Sequence, residues 1–304
     1  MKRTRICELL EVEYPIIQGG MFWIANAELA AAVSNAGGLG TISPSGGATY
    51  EESWAENLRR QLRNVKALTD KPFGVNIPLP FREAEESLNV ALEEGVRVIT
   101  TSGGSPALYT KRIKQSKAIV MHLAFTVRQA CRAEVEGVDV VIAEGSEAGG
   151  LIGPEEVSTF TLVPQVVDAV KIPVVAAALA LGAEGVQMGT RFLVTKECLL
   201  PLAYKEMMLK IGDADTIVIR RRSNPARILK NELAKKILGM EASGVADESL
   251  EEFTKRCRLG VEGDLEEGPV LCGATAGMIT EIPSAGEVVR WIVANYPKVM
   301  AGLG

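Results

Sequence analysis

The sequence predicts an α/β chain folded as a (β/α)8 barrel with a smaller, mainly helical lid. Three observations predict it. Short apolar runs alternate with helix-like runs, eight times in roughly the first 200 residues. Most of these runs end on glycine or a polar residue. Beyond about residue 205 the pattern changes to helical stretches separated by glycine-rich turns. An open doubly wound sheet is the alternative arrangement of the same units. In a barrel the strand ends converge on one mouth, where a ligand sits.

The elements follow in order. Residues 14–17 form the first strand and lead into Gln18-Gly19-Gly20-Met21, with a helix over 26–36. Residues 39–42 are the second strand. The next helix carries Trp54, Leu58, Leu62 and Val65 on one side, a helical spacing. The third strand is 73–77, with a helix over 84–94, and the fourth is 96–101. Gly103-Gly104-Ser105-Pro106 then turns into a helix, with Pro106 suited to its first position. The fifth strand is 118–123, followed by a helix over 125–136. The sixth is 138–143, with a helix near 161–170. The seventh and eighth are 173–177 and 185–188. A helical stretch is predicted from Asn224-Pro225-Ala226-Arg227 to about residue 238, another over 249–257 and a last one over 287–294.

This gives a barrel over 1–205, a helical lid over 206–283 and a C-terminal helix, within 284–304, that returns to the barrel. One connection does not fit. About seven residues join the last two strands, whereas a parallel crossover takes about a dozen or more. The expectation is that a stretch is absent between Ala177 and Ala178.

Composition narrows the function classes. The chain is 47% hydrophobic with a formal net charge of −5, and its only basic tract is Arg220-Arg221-Arg222. Nucleic acid is therefore not an expected partner, because phosphate backbones call for a concentrated positive face. The three arginines form a solvated turn or hold a phosphate-bearing substrate. The five cysteines are widely spaced, form no metal pattern and read as reduced thiols of a cytoplasmic protein. No signal peptide and no bilayer-length apolar run stands out.

Two loops carry the chemistry. Glu144-Gly145-Ser146-Glu147-Ala148-Gly149-Gly150 follows the sixth strand, and Gln187-Met188-Gly189-Thr190-Arg191-Phe192 closes the eighth. Glycines after buried strands let a large ligand meet backbone N–H groups. His122, the only histidine, sits at the end of the fifth strand and is the candidate acid–base group, the other reading being a structural histidine. Asn76 ends an apolar strand and is read as a ligand contact or a loop cap. Glu144 is a ligand neighbour or loop organiser. Glu144 with Glu147 as a hydrolytic or metal-binding pair lacks accompanying ligands, and Glu147 alone reads as a solvated loop residue. Met21 packs the mouth or touches the ligand, and Phe22 and Trp23 wall the pocket or join the core.

Taken together, several stretches resemble the nitronate monooxygenase family, formerly 2-nitropropane dioxygenases, and the related FMN-dependent enoyl-acyl-carrier-protein reductases. They are Pro15-Ile16-Ile17-Gln18-Gly19-Gly20-Met21, Lys71-Pro72-Phe73-Gly74-Val75-Asn76, Ala143 through Gly150, Gly182 through Phe192, and Gly273-Ala274-Thr275-Ala276-Gly277. The resemblance covers nearly the whole chain. It implies a TIM barrel holding non-covalent FMN at its mouth. By that resemblance Gly20 and Met21 lie against the isoalloxazine ring and Asn76 hydrogen-bonds the flavin. Glu144, Gly149 and Gly150 line the ring or ribityl chain. Gln187, Met188, Gly189 and Thr190 surround the ribityl-phosphate end. Relatives also carry a Gly-Gly phosphate loop after the seventh strand, where this chain is too short.

Two positions depart from the family. Leu151 stands where relatives have histidine, and leucine neither accepts a proton nor donates a hydrogen bond. Ala274 stands where glutamine is common. The leading expectation is oxidation of an alkyl nitronate, already an anion, by FMN and O2 to a carbonyl compound and nitrite. The alternative is NAD(P)H-dependent reduction of an enoyl thioester through FMN. That reaction needs a proton donor and implies an acyl-carrier-protein partner, with Arg220, Arg221 and Arg222 as docking groups. A flavin-binding protein without turnover is the third reading. The expected partner is a small-molecule substrate, with no nucleic acid and no membrane, and a homodimer is left open.

Overall fold

Eight short parallel strands close into a cylinder in the computed structural model, which describes residues 1–49, 51–176 and 179–302. The strands are β1 (Ile16–Gln18), β2 (Gly40–Ile42), β3 (Phe73–Pro78), β4 (Val98–Ser102), β5 (Ile119–Ala124), β6 (Val140–Ala143), β8 (Val174–Ala176) and β9 (Gly185–Met188), with β7 (Gly150–Leu151) lying in the loop after β6. Their order is β1-β9-β8-β6-β5-β4-β3-β2. A parallel bridge between Ile17 and Leu39 joins the two ends. The fold is thus the expected barrel and not the open sheet.

Side-chain alternation builds two apolar layers. Ile17, Leu39, Val98, Met121, Val140, Ile142 and Val175 fill the barrel interior. Ile6 and Leu10 of helix α1 (Arg5–Leu10) join the same layer. The residues between them in sequence, such as Val75, Ile77, Ile99, Val120, Val141 and Ala143, pack outward. They meet helices α2 (Ala27–Asn35), α3 (Trp54–Leu68), α4 (Ala84–Glu93), α5 (Thr110–Gln115), α6 (Val127–Val135) and α7 (Thr159–Ala169). Local signals start several of these helices. Ser53 and Glu56 form a capping box for α3, and Asn26 and Thr126 cap α2 and α6 with their side chains.

The short connection before β9 is the exception in the ring. The segment expected to be missing falls at Ala177 and Ala178, outside the described residues. From Leu179 to Leu181 the chain makes a 3-10 turn and then enters β9.

After β9 come α8 (Thr190–Leu193) and α9 (Leu202–Met208), then β10 (Thr216–Ile219), β11 (Ala226–Leu229), α10 (Glu232–Ala242) and α11 (Leu250–Glu262). The helix expected from Asn224 to about residue 238 is corrected here. Ala226–Leu229 is a strand, and the helix begins at Glu232. The cap is Asn231, which accepts a hydrogen bond from the Ala234 N–H at 3.0 Å. The strand forms because it has a partner on each side. β11 lies between β10 and β7 in an antiparallel three-stranded sheet, with Arg227 opposite Gly150 and Ala226 opposite Leu151. The appended region is therefore joined to the barrel through a mouth loop. Helix α12 (Ala285–Ala301) packs its Ala285, Val288 and Val289 against Ile16, Leu29, Val33 and Phe192 of the barrel. Among the described residues no helix is long and apolar enough to cross a membrane.

Candidate active site at the barrel mouth

Strand alternation decides which side chains face the mouth. On β6, Val140 and Ile142 point inward while Val141 and Ala143 point outward, so the next residue, Glu144, points inward. On β3, Val75 and Ile77 belong to the outer layer and Asn76 faces in. On β4, Val98 is inner and Ile99 outer, so Thr100 faces in beside its register partner Asn76. On β9, Val186 and Met188 pack outward, and Gln187 faces in opposite Ile17. A polar layer of Asn76, Thr100, Glu144 and Gln187 thus caps the apolar interior. None of these four side chains has a hydrogen-bond partner among the described residues.

The same alternation corrects two expectations. His122 lies between inward Met121 and Leu123 and shares its face with Val120 and Ala124, so it points to the helix layer, away from the mouth. It is 2% exposed, and its Nδ1 lies 2.7 Å from Thr101 Oγ1. Burial pushes its pKa down to about 4, which leaves it neutral near pH 7. The expected acid–base role does not fit this position. Met188 likewise packs outward, and its carbonyl is the part that faces the β1 loop, accepting the Gly19 N–H at 3.0 Å.

The glycines fit close backbone approaches. A Cβ on Gly20 would lie 2.6 Å from Asn76 Cβ, so only glycine lets Asn76 lie across the β1 loop. A Cβ on Gly149 would come within 2.5 Å of the Cys272 carbonyl carbon and the Gly273 nitrogen. Gly149 is thus where the segment entering Gly273 crosses the β6 loop. The crossing is held by the Ala274 N–H on the Glu147 carbonyl at 2.9 Å and the Gly273 N–H on Thr190 Oγ1 at 2.9 Å. Thr190 is therefore committed to this crossing through its oxygen. Met21 packs beside Gly189, with Sδ 3.6 Å from where a Cβ would stand.

Glu144 and Glu147 have different surroundings. Glu147 accepts the Thr159 N–H at 2.8 Å and the Thr159 hydroxyl at 2.8 Å, so it anchors the start of α7 and is not a solvated loop residue. Glu144 is half-buried by exposure, yet protein surrounds its carboxyl closely. Desolvation pushes its pKa up to about 8. The two do not form a metal pair. Among the described residues no cluster of three or more histidine, cysteine or acidic side chains is placed to hold a metal ion.

Leu151, at the position of the family histidine, packs with Ile219, Ala226, Ile228, Phe253 and Trp23 in the core of the appended region. An aromatic cluster forms around the residues that follow Met21. Phe22 lies 5.0 Å from Phe81 between ring centroids, and Trp54 lies 5.3 Å from Phe81. Trp23 Nε1 donates to the Thr254 carbonyl of α11 at 2.9 Å, and the Arg258 guanidinium stacks 5.0 Å from the Trp23 ring. Of the three consecutive arginines, Arg220 is 2% exposed, stacked 4.4 Å from Phe253 and 4.0 Å from Glu248, so it is not a surface docking group. Arg221 pairs with Glu156 of the β6 loop at 2.9 Å.

Sequence reasoning missed Thr100, Arg227 and the Gly273 crossing. Thr100 was legible from the period-two count on its strand. Arg227, which donates to the Ser146 carbonyl at 2.8 Å and to Thr216 Oγ1 at 3.1 Å, became visible only with the strand it belongs to.

These residues fit FMN. Inward amide groups of Asn76 and Gln187 without partners offer donors and acceptors to the edge of a polar heterocycle, and the missing side chains at Gly19 and Gly20 let both amides lie close against the β1 loop. The comparisons identify the family. The nitronate monooxygenase family matches residues 3–295. A curated relative from Mycobacterium tuberculosis, (3aS,4S,5R,7aS)-5-hydroxy-7a-methyl-1-oxo-octahydro-1H-indene-4-carboxyl-CoA dehydrogenase, is 33% identical over 347 aligned positions, covering 96% of each protein. A probable nitronate monooxygenase of Staphylococcus saprophyticus is 34% identical over 77% of this chain and 80% of its own. The solved structure of FabK from Thermotoga maritima superposes with a TM-score of 0.91 at 38% identity, over 100% of this chain and 99% of that one. The barrel, its glycine-lined mouth and these full-length likenesses together place the chain in the nitronate monooxygenase family of FMN-dependent oxidoreductases.

Proposed function

We propose that the chain is an FMN-dependent reductase of enoyl thioesters that uses NAD(P)H. The observation that carries this reading is the end-to-end likeness to FabK, an enoyl-acyl-carrier-protein reductase II. The relative from Mycobacterium tuberculosis is also named for an acyl thioester.

In this reading Gly20 and Met21 form the floor under the isoalloxazine ring. Asn76 and Gln187 hydrogen-bond its polar edge, Gly149 and Gly150 line the ribityl side, and Glu144 lies beside the ring, towards the substrate. Met188, through its backbone, together with Gly189 and Thr190 borders the phosphate end. Bound FMN supplies two-electron transfer between NAD(P)H and the thioester. The chain positions both, and the appended region with Trp23 and α11 keeps bulk water off the reacting face. Arg221 and Arg222, beside the β6 loop, face an acyl carrier protein if the thioester is carried by one.

Nitronate oxidation is the second reading, and Leu151 favours it over oxidation of a neutral nitroalkane. With His122 turned outward and Glu144 protonated near neutral pH, the mouth residues among those described include no base, and a nitronate needs none. The test reconstitutes the full chain with FMN. NADPH is added anaerobically, then crotonyl-CoA, and flavin colour and butyryl-CoA are followed. Parallel samples receive propionate-3-nitronate and oxygen, and nitrite is measured. Loss of colour with NADPH, its return with crotonyl-CoA and formation of butyryl-CoA are expected. Nitrite release without any reduction by NADPH would transfer the assignment to the second reading.

A further inference from the structure

We propose that Glu144 is the proton donor to the α-carbon of the substrate, an inference that rests on the reductase reading and names the acid it requires. The argument is geometric. Among the described strand residues that face the mouth, Asn76, Thr100 and Gln187 carry no proton that ionises near neutral pH, and Glu144 is the carboxylic acid. The one histidine is on the far side of its strand, bonded to Thr101. Leu151 is anchored in the appended region.

The groups packed around Glu144 leave its carboxyl to itself. On the neighbouring β5 the inward residue is Leu123, and on β8 it is Val175. In its own loop, Glu147 is bonded to Thr159 and Glu156 to Arg221. From β11, the Arg227 guanidinium is held by the Ser146 carbonyl and Thr216. Cys272, at the crossing, keeps its thiol protonated because burial pushes its pKa up to about 12. Among the described residues no cation is therefore placed to hold Glu144 as a carboxylate, and burial keeps its proton on up to about pH 8.

The step balances as follows. Addition of hydride at the β-carbon, drawn from NAD(P)H, leaves an enolate of the thioester. The enolate electron pair forms a C–H bond at the α-carbon as the Glu144 O–H bond breaks. The carboxylate then regains its proton from water, so the sum is one hydride and one proton added across the double bond.

Two measurements on the full chain test this, comparing wild type with Glu144→Gln and Glu144→Asp. The first is pH-difference infrared spectroscopy of the protein without substrate. A protonated carboxyl band that titrates near pH 8 in the wild type and is absent from Glu144→Gln is expected, and its persistence in that variant overturns the proposal whatever the substrate. The second is stopped-flow reoxidation of the NADPH-reduced holoenzyme by crotonyl-CoA. In Glu144→Gln the rate of reoxidation relative to the rate of reduction should fall by about a hundredfold or more, the usual contribution of a positioned acid. The wild-type rate should fall above about pH 8, that fall should vanish in Glu144→Gln, and Glu144→Asp should recover part of the rate. An unchanged ratio with an unchanged pH profile sinks the proposal. A wild-type enzyme that crotonyl-CoA does not reoxidise sinks the reductase reading, and the transfer step with it, while the infrared band still reports whether the acid is there.

Discussion

Glu144 and His122 are both buried ionisable groups in their neutral forms, and they affect stability with opposite signs. Glu144 has a folded pKa of about 8 against an ordinary value of 4.5. The native state binds the extra proton, so stability is lost as pH rises from 4.5 to 8, with a deficit of about 3 kcal/mol at pH 7. His122 is lowered from 6.5 to about 4. Here the unfolded chain binds the extra proton, so stability is lost as pH falls from 6.5 to 4, by up to about 3 kcal/mol. Thermal melts of the flavin-free chain should therefore show Glu144→Gln gaining on wild type between pH 6 and 8. The steepest part of the acid-side loss should disappear in His122→Gln. A His122→Gln enzyme whose turnover also lost its pH dependence would return that histidine to the chemistry. The polar ends of the strands were readable from residue type, and so was the neutral pKa range of a histidine. What residue type alone hid was direction. His122 lies within an apolar strand and Glu144 directly follows one, and only the count of alternating neighbours sends one outward and the other inward.

At the level of elements, the barrel strands announced themselves because each is a short apolar run between turn residues, read with no knowledge of distant partners. The strand β11 did not, because Ala226–Leu229 is a strand by virtue of β10 on one side and β7 on the other, and the proline and asparagine before it imitate a helix start. The pairing of β11 with β7 explains Leu151. Its side chain contributes to the core shared by Ile219, Ala226, Ile228 and Phe253, so Leu151→His places an imidazole among apolar groups. We expect that variant to lose about 1–3 kcal/mol by chemical denaturation and to gain no new titration in its rate profile. Arg220 holds the same core from the other side, stacked on Phe253 and facing Glu248. Arg220→Ala leaves a buried space beside Phe253 while Glu248 keeps Arg256 at 3.0 Å, and limited proteolysis should cut within 206–283 faster than in wild type, at a cost of about 1–3 kcal/mol in stability. Equal cleavage rates would show that the arginine is not what holds this region closed.

For the molecule as a whole, a ligand in the proposed site would touch β3 and the loops after β1, β6 and β9, and its binding energy would add to the stability of the folded chain. FMN at a hundredfold excess over its Kd should stabilise by about 2.7 kcal/mol, and riboflavin at the same concentration by less, because it lacks the phosphate that Gly189 and Thr190 are proposed to border. Differential scanning calorimetry checks both, and equal shifts for the two flavins would remove the phosphate from the contact.

The two-residue strand β7 has a consequence for motion. Gly150 and Leu151 belong at once to the sheet of the appended region and to the loop that begins at Glu144. Any displacement of β11 would therefore pull on the loop that begins at Glu144. In the reductase proposed above, admission of a bulky acyl tail past β11 and the alignment of Glu144 would then be coupled through β7, so a substrate that holds β11 away from Gly150 and Leu151 should be bound well and turned over slowly.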